Sequence, residues 1–144
     1  MSSPFLSKEE QALIVTAIEA AELLTSGEVR VHIESRCKGD VFERAAALFH
    51  QLKMDQTQER NGVLLYVAWK SRSFAIVGDC GINEKVPADF WDLIKEQMRI
   101  DFSRNNFCEG ICRAVQSAGI ALRRFFPYRP DNINELPDDI SFGA

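Results

Sequence analysis

The stretch Val-Gly-Asp-Cys-Gly-Ile-Asn at residues 77–83 sets an acid and a cysteine between two glycines, and two more acids follow closely. Asp79, Asn83, Glu84 and Asp89 thereby place four oxygen-bearing side chains within eleven residues, with the carbonyls beside Gly78 and Gly81 as further donors. Hard cations take oxygen sets of this kind, and calcium is preferred to magnesium because its looser geometry accepts mixed carbonyl and carboxylate ligands. Zinc would call for histidine or sulfur, and the two histidines, His32 and His50, lie outside this loop. A purely structural reading stands beside this one. In it, Gly78 and Gly81 supply positive φ, Asp79 and Asn83 close local turns, and Asp89 sits favourably near a helix start.

Other chemistries are excluded by spacing. A cysteine phosphatase needs an arginine six positions after its thiol, where Cys37, Cys80, Cys108 and Cys112 have Glu43, Val86, Ala114 and Ala118. Neither a GxxxxGK phosphate loop, a GxSxG nucleophile elbow nor an HExxH metal helix occurs. Cys108 and Cys112 share a helix face, but two thiols without histidine leave a zinc site half built, so core packing and reduced thiols are expected. His32 and His50 read as ordinary surface or half-buried residues. An enzyme could use only metal-assisted hydrolysis, with the cation polarising a phosphoryl oxygen and Asp79 or Glu84 as ligand or base.

The elements that must carry this loop follow from periodicity. Ser7 with Glu10 forms a capping-box pattern, and Leu13, Ala17, Ala20 and Leu24 continue it as a helix ending near Thr25. Residues 27–34 alternate, with Val29, Val31 and Ile33 on one face and Glu28, Arg30, His32 and Glu34 on the other, as an edge strand with one wet face would. Asp40 with Glu43 starts a second helix through Val41, Ala45, Leu48, Phe49 and Leu52. Residues 63–69 have no polar position, which marks a strand covered on both faces, and the short turn at 70–73 makes it a hairpin with the strand that follows. Phe90, Leu93, Ile94, Gln97 and Met98 predict a third helix; Ile111, Val115, Ala118, Leu122 and Phe125 predict a fourth, stopped by Pro127.

This order calls for a right-handed parallel crossover plus one antiparallel strand, with helices on both sheet faces. The expected fold is a three-layer α/β/α sandwich around a small mixed sheet of three to four strands. It also brings the starts of the first two strands, near Glu28 and Asn61, to the rim where the third ends at Gly78. Glu28 is therefore a fifth candidate ligand, with Glu22 a weaker one. Arg72, in the hairpin at the opposite end, could bind an anion or shield an edge. That end, where α/β ligands normally lie, offers Glu34, Ser35, Lys70 and Arg72, a thinner set of oxygen ligands.

The chain of 144 residues suits one core, expected over 1–126, with an acidic, proline-containing tail over 127–144. A formal charge of −4 argues against a nucleic-acid partner. No membrane span and no secretory signal pattern are read, so a cytoplasmic chain is expected.

Residues 21–34, 61–83 and 110–126 together resemble the TPM domain family (TLP18.3/Psb32/MOLO-1-like) over about residues 7–126. The resemblance rests on the Thr25–Glu28 turn into a strand, the strand start Asn61–Leu64, Arg72 in the hairpin, and Gly78 with Gly81. It implies an α/β sandwich, divalent-cation binding in at least some members, and acid-phosphatase activity reported for some. In the family's loop a glutamate follows the second glycine by two positions; here Asn83 stands there and Glu84 comes next. The function expected is a TPM-domain protein holding a divalent cation (calcium, or magnesium) on Asp79, Asn83, Glu84, Asp89 and Glu28, as a non-catalytic module facing a protein partner. The alternative is a metal-dependent hydrolase of phosphate monoesters.

Overall fold

The computed structural model describes residues 5–130 and 137–143. Helix α1 (Lys8–Glu22) begins at the expected reciprocal cap: the Glu10 amide donates to Ser7 Oγ at 3.1 Å and the Ser7 amide to Glu10 Oε1 at 3.0 Å. Its buried stripe is Ile14, Ile18 and Ala21, one position on from the stripe read in the sequence, and Leu13 is 58% exposed. Both sets have helical spacing; the β-branched isoleucines win the core. Strand β1 (Glu28–Glu34) follows, then α2 (Val41–Gln51), capped by Asp40, then β2 (Gly62–Ala68) and β3 (Ser73–Gly78). A short α3 (Cys80–Asn83), read in the sequence only as loop, precedes α4 (Asp92–Ser103) and α5 (Phe107–Arg123). A two-residue strand β4 (Ser141–Phe142) closes the described chain.

The sheet order is β3-β2-β1-β4. Strands β1 and β2 are parallel, joined across α2, and β2 and β3 form the expected antiparallel hairpin. Val29, Val31 and Ile33 of β1, with Val63, Leu65, Val67 and Ile76, bury one sheet face against α1, α4 and α5. On the other face Leu64, Tyr66, Ala68, Ala75 and Val77 pack on Ala45, Leu48 and Phe49 of α2. This is the three-layer sandwich expected, with the cores on either side of the sheet.

Strand β1 departs from its expected role. It lies inside the sheet order, because β4 pairs with His32 and Ile33 in parallel. Its polar face is not wet: Glu28, His32 and Glu34 are all buried. Alternation separated the two faces correctly but carried no information about what covers the second one. Residues 137–143 supply part of that cover, and Ile140 joins the main core. The tail residues 131–136 lie outside the described residues.

Candidate functional site

The register places the acidic loop at the expected rim. Glu28 pairs with Gly62, Val63 pairs with Gly78, and the Asp79 amide donates to the Gly62 carbonyl at 3.0 Å. Asp79 is buried and caps α3, with its Oδ1 accepting from the Cys80 amide at 2.7 Å. Arg60 approaches the same carboxylate with both arms, Nε on Oδ2 at 2.7 Å and Nη2 on Oδ1 at 3.0 Å. The Asn83 side chain donates through Nδ2 to the Gly78 carbonyl at 3.2 Å. Glu84 ends α3 and Asp89 lies in the turn ahead of α4, both exposed. The loop is thus a helix cap in which Asp79 is ion-paired with Arg60, while Glu84 and Asp89 are exposed.

Neither glycine of this loop adopts positive φ, contrary to the turn reading; among described glycines Gly39 alone does so. Gly81 is demanded by close approach. A Cβ there would strike the Glu59 carbonyl oxygen and lie 2.5 Å from that of Arg60. The missing side chain lets α3 lie flat on the Glu59–Arg60 backbone, which also brings Arg60 within reach of Asp79.

Next along the rim, Glu22 lies near Glu28 and a third carboxyl, Asp138. Glu22, at the end of α1, accepts the Val29 amide on Oε2 at 3.0 Å and hydrogen-bonds Asp138 from the returning tail. Burial first, then the bond to Asp138 and the nearby charges of Asp138 and Glu28, push its carboxyl up to about 10. A hydrogen bond between two carboxyls requires a proton on one of them, and the raised pKa places it on Glu22 at neutral pH. Among the described residues no group of three or more His, Cys, Asp or Glu side chains is arranged to hold a metal ion as it stands.

The opposite rim holds a denser network than its sequence suggested. Glu34 is buried and accepts from Arg44 Nε at 3.0 Å and Nη2 at 2.9 Å, from the Tyr66 hydroxyl, and faces His32 Nε2 at 3.3 Å. His32 stacks on Tyr66 and meets Ser141 Oγ through Nδ1 at 2.9 Å. Burial opposes ionisation of Glu34, but the hydrogen bonds of Arg44, Tyr66 and His32 outweigh it and hold the carboxyl below its usual range. Burial holds His32 low, against the pull of Glu34. The signal in the sequence was the run Glu28, Arg30, His32, Glu34: titratable groups on one face of a strand require partners once that face is covered.

The family model described as TPM domain matches residues 2–120. The chain belongs to the TPM domain family. The solution structure of the BA42 protein from the psychrophilic bacterium Bizionia argentinensis is similar, with 47% identity, a TM-score of 0.93 and 99% of each chain covered. The N-terminal domain of the cg2496 protein from Corynebacterium glutamicum shares the fold at 13% identity, with a TM-score of 0.65 over 96% of this chain and 80% of that one. No curated protein matches.

In this TPM domain the four cysteines are free thiols. Burial and the neighbouring Cys112 push the Cys108 thiol up to about 12, and burial raises Cys112, so neither supplies a thiolate nucleophile. Among the described residues no helix is long and apolar enough to cross a membrane.

Proposed function

We propose that this TPM-domain chain binds a hard divalent cation, calcium in preference to magnesium, at the rim where Glu28 begins β1. In this reading it acts as a non-catalytic module whose stiffened rim is offered to a protein partner. One relationship carries the reading: the Glu22 carboxyl is hydrogen-bonded to Asp138 near buried Glu28, and burial with these two acids favours its protonated form. Like charges crowded at one place need a proton or a cation, and calcium would take the proton's position. Of the five ligands expected from the sequence, Glu28 is kept and joined by Glu22 and Asp138. Asp79 becomes the cap that holds the rim, and Asn83, Glu84 and Asp89 lie outside the ligand set. The free thiols suit a reducing, cytoplasmic setting.

The test is a calcium and magnesium titration followed by amide NMR shifts and melting temperature. Shifts centred on residues 22–29 and 138, a raised Tm, and loss of both in Glu28→Gln are expected. Absence of any response to either ion defeats the proposal. Turnover of a phosphate monoester that vanishes in Glu28→Gln would replace the module by the hydrolase.

A further inference from the structure

At the end of the sheet opposite Glu28, a cavity of about 190 Å³ opens where β2 turns into β3. Four half-buried aromatic residues line it: Trp69 and Phe74 from the hairpin, Phe102 from the end of α4 and Phe107 from the start of α5. The wall is built, not loose. Phe74 and Phe102 meet edge to face at 5.4 Å between centroids, Phe102 and Phe107 lie 5.3 Å apart, and Phe5 stacks on Trp69 at 5.1 Å and meets Phe107 edge-on at 4.7 Å.

Two exposed arginines, Arg72 and Arg99, complete the lining. Arg99 is paired with Glu96 one turn earlier on α4. The Arg72 side chain makes no hydrogen bond or ion pair among the described residues, although five other arginines do. Its backbone is also in the left-handed region, at φ 52°, a conformation that bulky residues seldom adopt. The cavity thus joins an apolar, aromatic body to an uncommitted cation. It lies beyond the carboxyl end of parallel strand β2, the end at which open α/β sheets bind ligands.

We infer that this cavity is a binding site for a small anion with an aromatic or compact apolar body, its ring among Trp69, Phe74, Phe102 and Phe107 and its carboxylate on Arg72. Size limits the occupant to about one ring with a short acidic arm, because the volume is below that of a typical drug-sized pocket. Arginine is suited to the head group through two parallel N–H donors. The site shares no residue with the cation rim, so either can fail without the other.

Phenylacetate is the probe and benzyl alcohol its uncharged counterpart, each titrated into the full chain and followed by the Trp69 indole and the amides of Arg72, Phe74 and Ser103. Phenylacetate is expected to shift these resonances and to bind about tenfold or more tightly than the alcohol. Arg72→Asn, whose replacement tolerates positive φ, is expected to remove that advantage while leaving alcohol binding unchanged. If neither probe moves the cavity resonances at millimolar concentration, or if phenylacetate binds the variant as it binds the parent, the inference is overturned.

Discussion

Asp79 and Arg60 meet through two parallel hydrogen bonds, Nε to Oδ2 at 2.7 Å and Nη2 to Oδ1 at 3.0 Å, across the gap between the turn before β2 and the turn after β3. Together with the Cys80 amide, these donors use the acceptor sites that an ion would need. Asp79→Asn is therefore expected to lower Tm by several degrees, since an amide offers one acceptor oxygen and sets an N–H₂ against another donor. Its calcium-induced rise in Tm should match that of the parent. Thermal melts with and without calcium check this, and loss of the calcium response without loss of stability would return Asp79 to the ligand set.

Gly81 gives a second test of the same rim. Although alanine is the better helix former, its Cβ in Gly81→Ala has to displace backbone carbonyls at Glu59 and Arg60, which cannot swing aside as a side chain can. Overpacking of this kind costs about 1–3 kcal/mol. Gly78→Ala is the control: its Cβ would sit 3.4 Å from the Trp91 ring, ordinary contact distance. Urea midpoints of the two variants should separate clearly, with Gly81→Ala the weaker.

At the other rim, Tyr66→Phe removes one donor from Glu34 and keeps the ring that stacks on His32. Arg44 and His32 remain on the carboxylate, so the loss is that of one hydrogen bond to a buried charged group, about 1–3 kcal/mol. Denaturant unfolding measures it. An unchanged midpoint would mean that the tyrosine hydroxyl contributes nothing to the network.

The contrast between these rims explains how far the sequence could be read. Hydrophobic period located the strand pairing and the two faces, because what a strand buries is written in its own alternation. Partners across the chain are not written locally. Arg60 sits in a polar run with no period, and nothing near it names Asp79 as its mate. The acidic loop reads as a ligand set because its acids are close in sequence, which does not reveal that Asp79 is taken up by Arg60 and the Cys80 amide. Asp138 reaches Glu22 only because the tail returns to pair with β1, a contact between residues more than a hundred positions apart. The glycines were read as conformational devices, when Gly81 answers a close approach that exists only in the folded chain.

His32 yields a pH prediction. Its folded pKa is lowered, by burial first, with Arg44 and Arg30 adding to the effect and Glu34 opposing it. Ser141, on the tail strand, is the group facing Nδ1. The unfolded chain therefore takes up a proton near pH 6.5 that the folded chain refuses. This contribution to stability is present above that pH and is lost as pH falls through the folded value. NMR titration of the imidazole should show His32 titrating below the unperturbed histidine value, and a normal titration would show that burial does not govern it.

Glu22 titrates in the opposite sense, and this ties stability to the proposed ion. Its folded carboxyl stays protonated up to about pH 10, whereas the unfolded one loses its proton near 4.5. Between these values the folded state binds more protons, so stability falls with rising pH, by at most about 1.4 kcal/mol per unit for a single group. Glu22→Gln, which keeps the hydrogen bond but cannot ionise, should flatten that decline in a series of melts from pH 5 to pH 9. Calcium must expel the same proton to bind, so its affinity should rise with pH in the parent. The variant lacks the proton to expel and one of the charges that hold the ion, so it should bind more weakly and with less pH dependence. A parent whose calcium affinity is flat with pH, or a variant whose stability falls as steeply as the parent's, would separate the ion from the Glu22 proton and remove the physical basis of the site.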